Sequence, residues 1–569
     1  MSGPFDRRDE TMPGKKRAFI VGIDGGSPDL IQKWVDQGKL PAFARLMKEG
    51  VFGPLASVPN QRSAAAWTSF MTGKNPGKHG IYEFYEYESG HQNLRFLKGG
   101  DRDGATLWGM LSAAGRKVGI INVPMTYPAE AVNGFCIAGL DAPGRTSRGF
   151  VHPPELLAEL EQKFGEYVLE PGLTGHIVSG DTAGAVETLW KELDQKAKIV
   201  RHLSETKEWE LFVVVFRSLD AVQHCFWKHM DPEHPYHDRA EALKYGSVIQ
   251  QAYEKVDKCL GEILDRLDAN TSVFVISDHG FGAKHQATTQ LNRWLEAEGF
   301  LTYRREGMGV RMLGAAYRTV VGRTFRKTKE KIWRFLPFLR NIVQYQLCFS
   351  QIDWEKTVAY SDTLYPTIWV NRRAEGPFKG APSEAKYQET IKRLRERLAQ
   401  CKDSVSGEPV VGEVFEKNDI YTGEHVGKAP DILIRWREDR RINGLAGLKQ
   451  NGQGGGTHIP GENPEVISGD HRLHGILFAR GPAIKAGARV TDTNLMDIAP
   501  TVLYAMQEPV PVEMDGRVLA QIFDEGYLRA NAVQRSEGGT EVASKQEETY
   551  TEEDEEVIAE RLKSLGYLE

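Results

Sequence analysis

Three short apolar runs, each ending in an aspartate, constrain the fold of this 569-residue chain more than any other feature. They read RAFIVGID, LFVVVFRSLD and VFVISDHG, and they end at Asp24, at Asp220 and at Asp278 with His279. Nearly continuous apolar runs of this length are typical of strands buried on both faces of a parallel sheet. The carboxyl ends of such strands lie along one edge, where ligands bind. We therefore expect these residues to meet in one crevice.

Helical patterns alternate with the apolar runs. Residues 247–268, SVIQQAYEKVDKCLGEILDRLD, have the spacing of an amphipathic helix, and they lead directly into VFVIS. Alternating strands and helices predict βαβ units and a mostly parallel sheet, which is the α/β class. Hydrophobic residues make up 40% and charged residues 26% of the chain, as in ordinary globular proteins. The net charge of −6 predicts no nucleic-acid polymer as partner, and the absence of a long apolar run predicts no transmembrane segment.

Composition divides the chain into three parts. Residues 1–15 are polar and predict a disordered N-terminal tail, residues 16–530 predict one large α/β domain, and residues 531–569 predict an acidic linker with a short C-terminal helix. Within the large domain, residues 301–345 are rich in arginine and lysine with interspersed aromatics. This basic segment predicts a helical cap that attracts an anionic substrate or makes peripheral contact with a membrane. A solvated helical insertion fits it equally well.

The cysteines bear on the compartment. There are five, an odd number, with wide spacing and no CxxC motif. That pattern predicts reduced thiols and a cytoplasmic location.

Ser63 opens the segment SAAAWTSFMTG, which predicts a short helix ending at Gly73. A serine in this place is commonly an N-cap. The same position lies in the positive potential of the helix N-terminus, where a serine can also serve as a nucleophile if a metal ion favours its alkoxide. The residue alone does not decide between the two readings.

Acidic and histidine residues form candidate ligand motifs. Asp220 and His224 are four residues apart, which places both on one helical face, the usual geometry for two ligands of one ion. Asp278 and His279 can ligate one ion from the end of a strand, although a tight turn explains them as well. Asp24 alone favours an Asx turn. His471 precedes the apolar run GILFARG, where His474 competes for the same role.

Taken in order, these motifs resemble the two-metal phosphodiesterases of the alkaline phosphatase superfamily. The nearest group is the type I phosphodiesterase/nucleotide pyrophosphatase family. The resemblance runs from about Arg17 to Phe523 and includes phrases without catalytic atoms, such as MTGKNPGKHGI and MDIAPTVLYAMQEPVPVEMDG. It implies a large αβα sandwich with a mostly parallel central sheet, as in alkaline phosphatase, and an inserted cap.

The resemblance also implies roles for single residues. One divalent ion would be held by Asp220, His224 and His471, and a second by Asp24, Asp278 and His279. Ser63 stands at the position of the family's nucleophile. The histidines favour zinc, while the carboxylates leave manganese as an alternative.

The expected function is a two-metal phosphoester hydrolase, a phosphodiesterase or pyrophosphatase that acts through a phospho-seryl intermediate on a small anionic substrate. A phosphotransferase or a phosphonate hydrolase would use the same site. A rival of another class is a non-catalytic metal-binding scaffold protein whose basic segment, residues 301–345, is the interaction surface.

Overall fold

The computed structural model describes residues 16–88, 93–304, 351–362, 365–372, 383–448, 466–537 and 550–565. The strands are β1 Arg17–Ile23, β2 Val51–Ala56, β3 Tyr85–Glu88, β4 Asn93–Phe96, β5 Val118–Val123, β6 Gly134–Ala138, β7 Val151–His152, β8 Leu211–Phe216, β9 Thr271–Ile276, β10 Gly280–Ala283, β11 Ala359–Tyr360, β12 Thr367–Val370, β13 Val411–Glu416, β14 Ile432–Trp436, β15 Gly469–Arg472, β16 His474–Arg480, β17 Ala488–Arg489, β18 Val510–Pro511 and β19 Arg535–Ser536.

The helices are α1 Pro28–Asp36, α2 Pro41–Glu49, α3 Ser63–Thr72, α4 Pro76–His79, α5 Leu107–Ala113, α6 Glu155–Phe164, α7 Leu173–Ser179, α8 Thr182–Thr206, α9 Ser218–Met230, α10 Arg239–Tyr245, α11 Val248–Arg266, α12 Leu291–Ala297, α13 Glu384–Leu398, α14 Lys417–Ile420, α15 Ile498–Ala505, α16 Glu525–Ala530 and α17 Glu552–Ser564. Among these residues, no helix is both long enough and apolar enough to cross a membrane.

A nine-stranded sheet forms the centre of the molecule, in the order β17-β2-β16-β9-β1-β8-β5-β6-β7. Its middle strands, β9 to β6, run parallel to one another. β16 is antiparallel to both of its neighbours. The three apolar runs identified in the sequence are β1, β8 and β9, every residue of the last two is buried, and they lie side by side. The prediction of an α/β fold with a mostly parallel central sheet is confirmed.

Helices pack on both faces of this sheet. Alternate side chains of a strand point to opposite faces. In β1, Phe19 lines a cavity with Ala197 of α8 and Cys259 of α11. Gly22 is on the other face, where an added Cβ atom would lie 2.5 Å from Cη2 of Trp67 in α3. The sheet therefore lies between two helical layers, as the αβα sandwich requires.

A second, smaller unit has a hydrophobic core of its own. It contains an antiparallel sheet in the order β11-β12-β14-β13. α12 and α13 contribute Leu291, Leu295, Ile391 and Leu394 to its core. The basic segment predicted as a cap, apart from residues 301–304, lies outside the described residues, as do the N-terminal tail and residues 538–549. The predicted domain boundaries and the cap therefore stay predictions.

The C-terminal helix α17 docks on the large domain. Its N-cap, Thr551, shares a capping box with Asp554, and Ile558 and Leu562 are buried in the main core. Arg561 donates hydrogen bonds to the backbone carbonyls of Leu140, at 3.0 Å, and of Pro143, at 2.6 Å. The last turns of the chain are thus part of the globule.

Candidate metal centre

The candidate residues gather at the carboxyl edge of the central sheet. Asp24 follows β1, Asp220 lies in the first turn of α9 directly after β8, and Asp278 and His279 follow β9. These three strands are adjacent in the sheet. Apart from the half-buried Arg17, each is an uninterrupted buried run, so its carboxyl end lies at a fixed place on the edge of the core. The crevice expected from the sequence is where the structure brings these side chains together.

Asp220, His224 and His471 form the first group. Oδ1 of Asp220 lies 3.1 Å from Nε2 of His224, which follows it by one turn of α9. The same oxygen lies 3.3 Å from Nε2 of His471. His471 is on β15, which pairs with β10, so the short hairpin-like sheet after β9 carries it over the edge. The two Nε2 atoms are 3.1 Å apart.

Backbone carbonyls fix the orientation of all three histidine rings. Nδ1 of His224 lies 2.9 Å from the carbonyl oxygen of Gly469, and Nδ1 of His471 lies 2.7 Å from that of Gln61. Nδ1 of His279 lies 3.0 Å from the carbonyl oxygen of Gly280. A carbonyl can only accept, so each Nδ1 carries a proton and donates it. Each Nε2 therefore presents its lone pair to the crevice, which is the arrangement found behind metal-bound histidines.

Lone pairs that converge on one point repel one another unless a cation lies between them. In the first group, two imidazole nitrogens and a carboxylate oxygen meet within about 3 Å. Burial opposes a second proton on His224, but the charge of Asp220 and its hydrogen bond outweigh burial and raise the pKa of that imidazole, which would relieve part of the repulsion. A divalent cation satisfies all three donor atoms at once, so the donor set fits a metal ion.

Asp24, Asp278, His279 and Ser63 form the second group. Nε2 of His279 lies 3.2 Å from Oδ2 of Asp278 and 3.5 Å from Oδ1 of Asp24. Oγ of Ser63, the first residue of α3, lies 3.2 Å from the same nitrogen. It also donates a hydrogen bond of 3.4 Å to Asp24. The serine thus lies at the start of a helix, buried, with its hydroxyl against the ligand atoms.

Two contacts hold the carboxylates of this group in place. Nε1 of Trp67, one turn after Ser63 on α3, donates to Oδ2 of Asp24 at 3.3 Å. The backbone N–H of Gly25 donates to Oδ1 of Asp278 at 3.2 Å. Each carboxylate therefore has one oxygen held by one of these donors and the other turned towards His279, and in Asp24 the second oxygen also accepts from Ser63.

The structure divides the ligand atoms differently from the sequence. Candidate atoms of Asp220, His224 and His471 all lie within 4.8 Å of one another, and so do those of Asp24, Asp220 and His279. Asp220 thus belongs to both of these close sets, while the set with Asp24 and His279 does not include Asp278. The assignment of Asp278 as a ligand stays a prediction, and Asp220 gains the geometry of a residue shared between two ions.

Burial and mutual repulsion set the charge of the carboxylates. Burial, followed by the charges of Asp278 and Asp220, raises the pKa of Asp24 well above its usual range. Burial raises the pKa of Asp278 to about 7. Burial also opposes ionisation of Asp220, but His224 and His471 outweigh it and hold its pKa well below the usual range.

The imidazoles are mostly held in their neutral, ligating form. Burial lowers the pKa of His279 to about 4. Burial, together with the neighbouring His279, lowers the pKa of His471. Their rings are stacked with centroids 3.6 Å apart, so protonating both would place two charges in contact.

His474, the alternative to His471, begins β16 and is exposed to solvent. His471 is the residue that lies at the crevice. The sequence did not indicate Trp67, nor the carbonyls of Gln61 and Gly469. Any residue can supply a backbone carbonyl, so these acceptors cannot be predicted from the sequence. Trp67, in contrast, could have been found by its spacing of four residues from Ser63.

Comparison with solved structures gives distant matches at low sequence identity. Human ectonucleotide pyrophosphatase/phosphodiesterase 5 is 13% identical, with a TM-score of 0.45 over 89% of this chain and 98% of its own. Phosphonoacetate hydrolase from Sinorhizobium meliloti 1021 is 15% identical, with a TM-score of 0.49 over 87% and 95%. A mutant of the alkaline phosphatase PafA is 13% identical, with a TM-score of 0.49 over 90% and 100%. The curated proteins contain no match.

The family assignment comes from the sequence itself. The family model for type I phosphodiesterase/nucleotide pyrophosphatase matches residues 18–459, which is more than half of the chain. The match begins in β1 and includes Asp24, Ser63, Asp220 and Asp278. The chain therefore belongs to the type I phosphodiesterase/nucleotide pyrophosphatase family and is a phosphoester hydrolase of that type.

Proposed function

We propose that the protein is a two-metal phosphodiesterase that forms a phosphoester on Ser63. The observation that carries the proposal is the shared orientation of three buried imidazoles. His224, His279 and His471 each donate Nδ1–H to a backbone carbonyl and turn Nε2 towards buried carboxylates. Converging lone pairs are costly to bury together without a cation, so they support a metal site. A non-catalytic metal-binding scaffold would share that feature, but it would not need the buried hydroxyl of Ser63 against the ligand atoms.

Two divalent ions, if bound, would neutralise the charge of the transferring phosphoryl group and favour the ionised forms of the serine hydroxyl and of water. Asp220, His224 and His471 would hold one, and Asp24, His279 and Asp278 the other, with Asp220 able to face both. Imidazole-rich sites suit zinc, and the carboxylates leave manganese as the alternative. The donor set supports a metal site without fixing the identity of the ion.

Ser63 supplies the nucleophile. Its oxygen attacks phosphorus, the bond from phosphorus to the leaving alcohol's oxygen breaks, and the alcohol departs with the proton that the serine gave up. Water then attacks the phospho-seryl ester, the bond from phosphorus to the serine oxygen breaks, and the phosphate monoester is released. Placement at the first residue of α3 suits this role, since the helix N-terminus stabilises developing negative charge.

The substrate we propose is a small anionic phosphoester, and the compartment a reducing one, the cytoplasm. In the described part of the chain, Cys136, Cys225, Cys259 and Cys401 are free, buried thiols. Buried free thiols are in keeping with the cytoplasmic location expected from the sequence.

Ser63→Ala tests the mechanism. We expect hydrolysis of bis(4-nitrophenyl) phosphate to fall by at least about a thousandfold, because removal of a nucleophile leaves only binding and electrostatic terms. Metal content measured by mass spectrometry should stay near that of the wild type. Rapid acid quench of the wild type should trap phosphate on the peptide that contains Ser63.

Ser69→Ala is the matched control. Ser69 is buried on the same helix and bonds to His79 at 2.9 Å, away from the ligand atoms. Its loss should leave turnover within a few-fold of the wild type. Turnover by Ser63→Ala at the level of Ser69→Ala would exclude the covalent mechanism.

A further inference from the structure

A cleft opens beside the candidate metal centre. His471, which belongs to the first ligand group, lies in its wall, together with His285, Thr288 and Asn60. The smaller unit contributes Tyr365 and Trp436 to the same lining. Pockets between two packed units are common ligand sites.

His285 lies in this cleft, and no hydrogen bond to the described residues accounts for its polarity. Its side chain is only 4% exposed, and neither Nδ1 nor Nε2 has a partner among the described residues. Burial, followed by the charge of Arg472, lowers its pKa to about 3, so the ring is neutral. A neutral imidazole offers one donor and one acceptor. Buried histidines normally satisfy both.

Asn60 adds an acceptor to the same wall. Its Nδ2 donates to the backbone carbonyl of Tyr82 at 2.9 Å, which fixes the amide orientation, because the flipped amide would set two oxygens against each other. Oδ1 is buried and has no hydrogen-bond partner among the described residues. His285 and Asn60 therefore present one donor and two acceptors between them.

The charged groups around the cleft are engaged by the protein. Arg472 donates to the backbone carbonyl of His471 at 2.8 Å and also to that of Ala283. Glu438 accepts from the backbone N–H of Leu473 at 3.0 Å. The indole N–H of Trp436 donates to Thr288 at 2.8 Å, which leaves the ring itself as an apolar wall. Arg435, also in the wall, pairs with Glu413, but its Nε is buried and has no hydrogen-bond partner among the described residues. The unmatched groups are therefore two neutral side chains and one N–H of a guanidinium that a carboxylate neutralises, beside an aromatic surface.

We propose that this cleft binds the leaving alcohol of the phosphodiester, and that the alcohol is an uncharged polyol such as a sugar or cyclitol. The inference rests on the proposed function, which places the phosphoryl group at the metal centre next to the cleft. Hydroxyl groups both donate and accept, so they match His285 and Asn60, while the C–H face of a ring packs on Trp436. An aryl or alkyl alcohol would leave the three polar atoms unmatched.

The test compares two methyl phosphodiesters on the metal-loaded full chain, one with glucose esterified through its 6-hydroxyl and one with phenol. Phosphorus NMR follows the methyl phosphate released from each, and the readout is the ratio of the two kcat/KM values. His285→Phe keeps the ring and removes its polar atoms, so the glucose-to-phenol ratio should fall by about tenfold or more. Asn60→Leu should lower the same ratio.

His229→Phe is the matched control, because His229 is a buried imidazole on α9 outside the cleft, also with an unmatched Nδ1 among the described residues. Its ratio should equal that of the wild type. If the melting curve shows that His285→Phe fails to fold, a competition experiment on the wild-type protein provides the test. Free glucose should then compete with bis(4-nitrophenyl) phosphate, and cyclohexanol at the same concentration should not.

An unchanged ratio in folded His285→Phe and Asn60→Leu overturns the inference, as does inhibition by cyclohexanol equal to that by glucose. In either case, hydrolysis that depends on Ser63 would leave the proposed function standing. Absence of any Ser63-dependent hydrolysis of either diester would overturn the proposed function, and this inference with it.

Discussion

The two halves of the candidate metal centre, one around Asp220 and one around Asp24 and Asp278, differ in the ionisation of their carboxylates. Around Asp220, two imidazoles accompany one carboxylate, and their presence holds the pKa of that carboxylate well below its usual range. Around Asp24 and Asp278, two carboxylates share one imidazole, and burial raises the pKa of both. In the metal-free protein at neutral pH, the carboxylate of Asp220 is therefore ionised, whereas the carboxyl groups of Asp24 and Asp278 retain protons.

This difference predicts an order of binding. A cation that binds to the Asp220 half displaces few protons. The carboxylate of Asp220 is already ionised, and only a proton shared with His224 must leave. A cation entering the Asp24 half must displace protons from carboxyl groups. The first half should therefore bind more tightly and depend less on pH, and the second should be the half that acid empties.

Removal of Asp220 should have the largest effect, because its carboxylate belongs to both ligand groups. Loss of residues that only support metal ligands typically costs 10–100-fold, so Asp220→Ala should lower kcat/KM by more than about a hundredfold. Metal analysis should show a loss of both ions. Asp194→Ala removes an exposed carboxylate that pairs with Lys255, and it should change neither activity nor metal content. Loss of a single ion in Asp220→Ala would show that the halves do not share this residue.

Acid should separate the two halves. Since the pKa of Asp278 is about 7 in the metal-free protein, binding at that half requires loss of a proton below this pH. The affinity of the weaker site should fall by about tenfold for each unit of pH below 7, since one proton competes with the ion. Calorimetric titration with zinc at pH 5.5, 6.5 and 7.5 measures this. Equal pH dependence at both sites would contradict the comparison.

The same groups should make the metal-free protein less stable as pH rises. A carboxyl whose pKa is raised by folding favours the folded state below its ordinary pKa, and that contribution is lost as pH rises through the folded value, about 7 for Asp278. The melting temperature of metal-free protein should therefore fall between pH 6 and pH 8. Zinc should cancel the fall, because the bound ion takes the place of the proton. A metal-free melting temperature that increases over this range would show that the carboxyls are not protonated.

Trp67→Phe should weaken only the Asp24 half. The phenylalanine keeps an aromatic ring but removes the N–H that donates to Asp24. Loss of such a supporting hydrogen bond should cost about tenfold in affinity at the weaker site. Trp108→Phe is the control, since Nε1 of Trp108 has no hydrogen-bond partner among the described residues. A similar loss in both variants would mean that packing, and not the hydrogen bond, supports the ligand.

The comparison between the halves could not have been made from the sequence. The strand-end aspartates could be located because β1, β8 and β9 are uninterrupted apolar runs, and parallel strands end at one edge. The spacing of Asp220 and His224 on one helical face also follows from sequence alone. Charge state does not, since it depends on how many imidazoles face each carboxylate. His471 arrives from a strand pairing between β10 and β15 that no local pattern encodes.

The cleft was equally hidden from the sequence. His285 had no motif around it, and its significance lies in the hydrogen bonds that it does not make with the described residues. Part of the cleft lining belongs to the smaller unit. The strands of this unit are short, and its core forms between segments far apart in the chain. Local periodicity predicts such a unit poorly, because its antiparallel strands pair across long connections.

The smallest effect we predict is at Gly22, which bears on the Asp24 half through Trp67 alone. An alanine there would place its Cβ atom 2.5 Å from the Trp67 ring and 2.9 Å from Val215, so the indole must move. Overpacking of this kind costs about 1–3 kcal/mol of stability.

Gly119→Ala is the matched control, because its Cβ would crowd the ring of Phe135 in a similar way. Both variants should melt earlier, but only Gly22→Ala should weaken zinc binding, by less than about tenfold because the hydrogen bond is displaced and not deleted. Combined with Trp67→Phe, Gly22→Ala should add no further loss of affinity, since both changes act on the same hydrogen bond. Additive losses of zinc affinity would mean that Gly22→Ala affects the Asp24 half by something other than the Trp67 hydrogen bond.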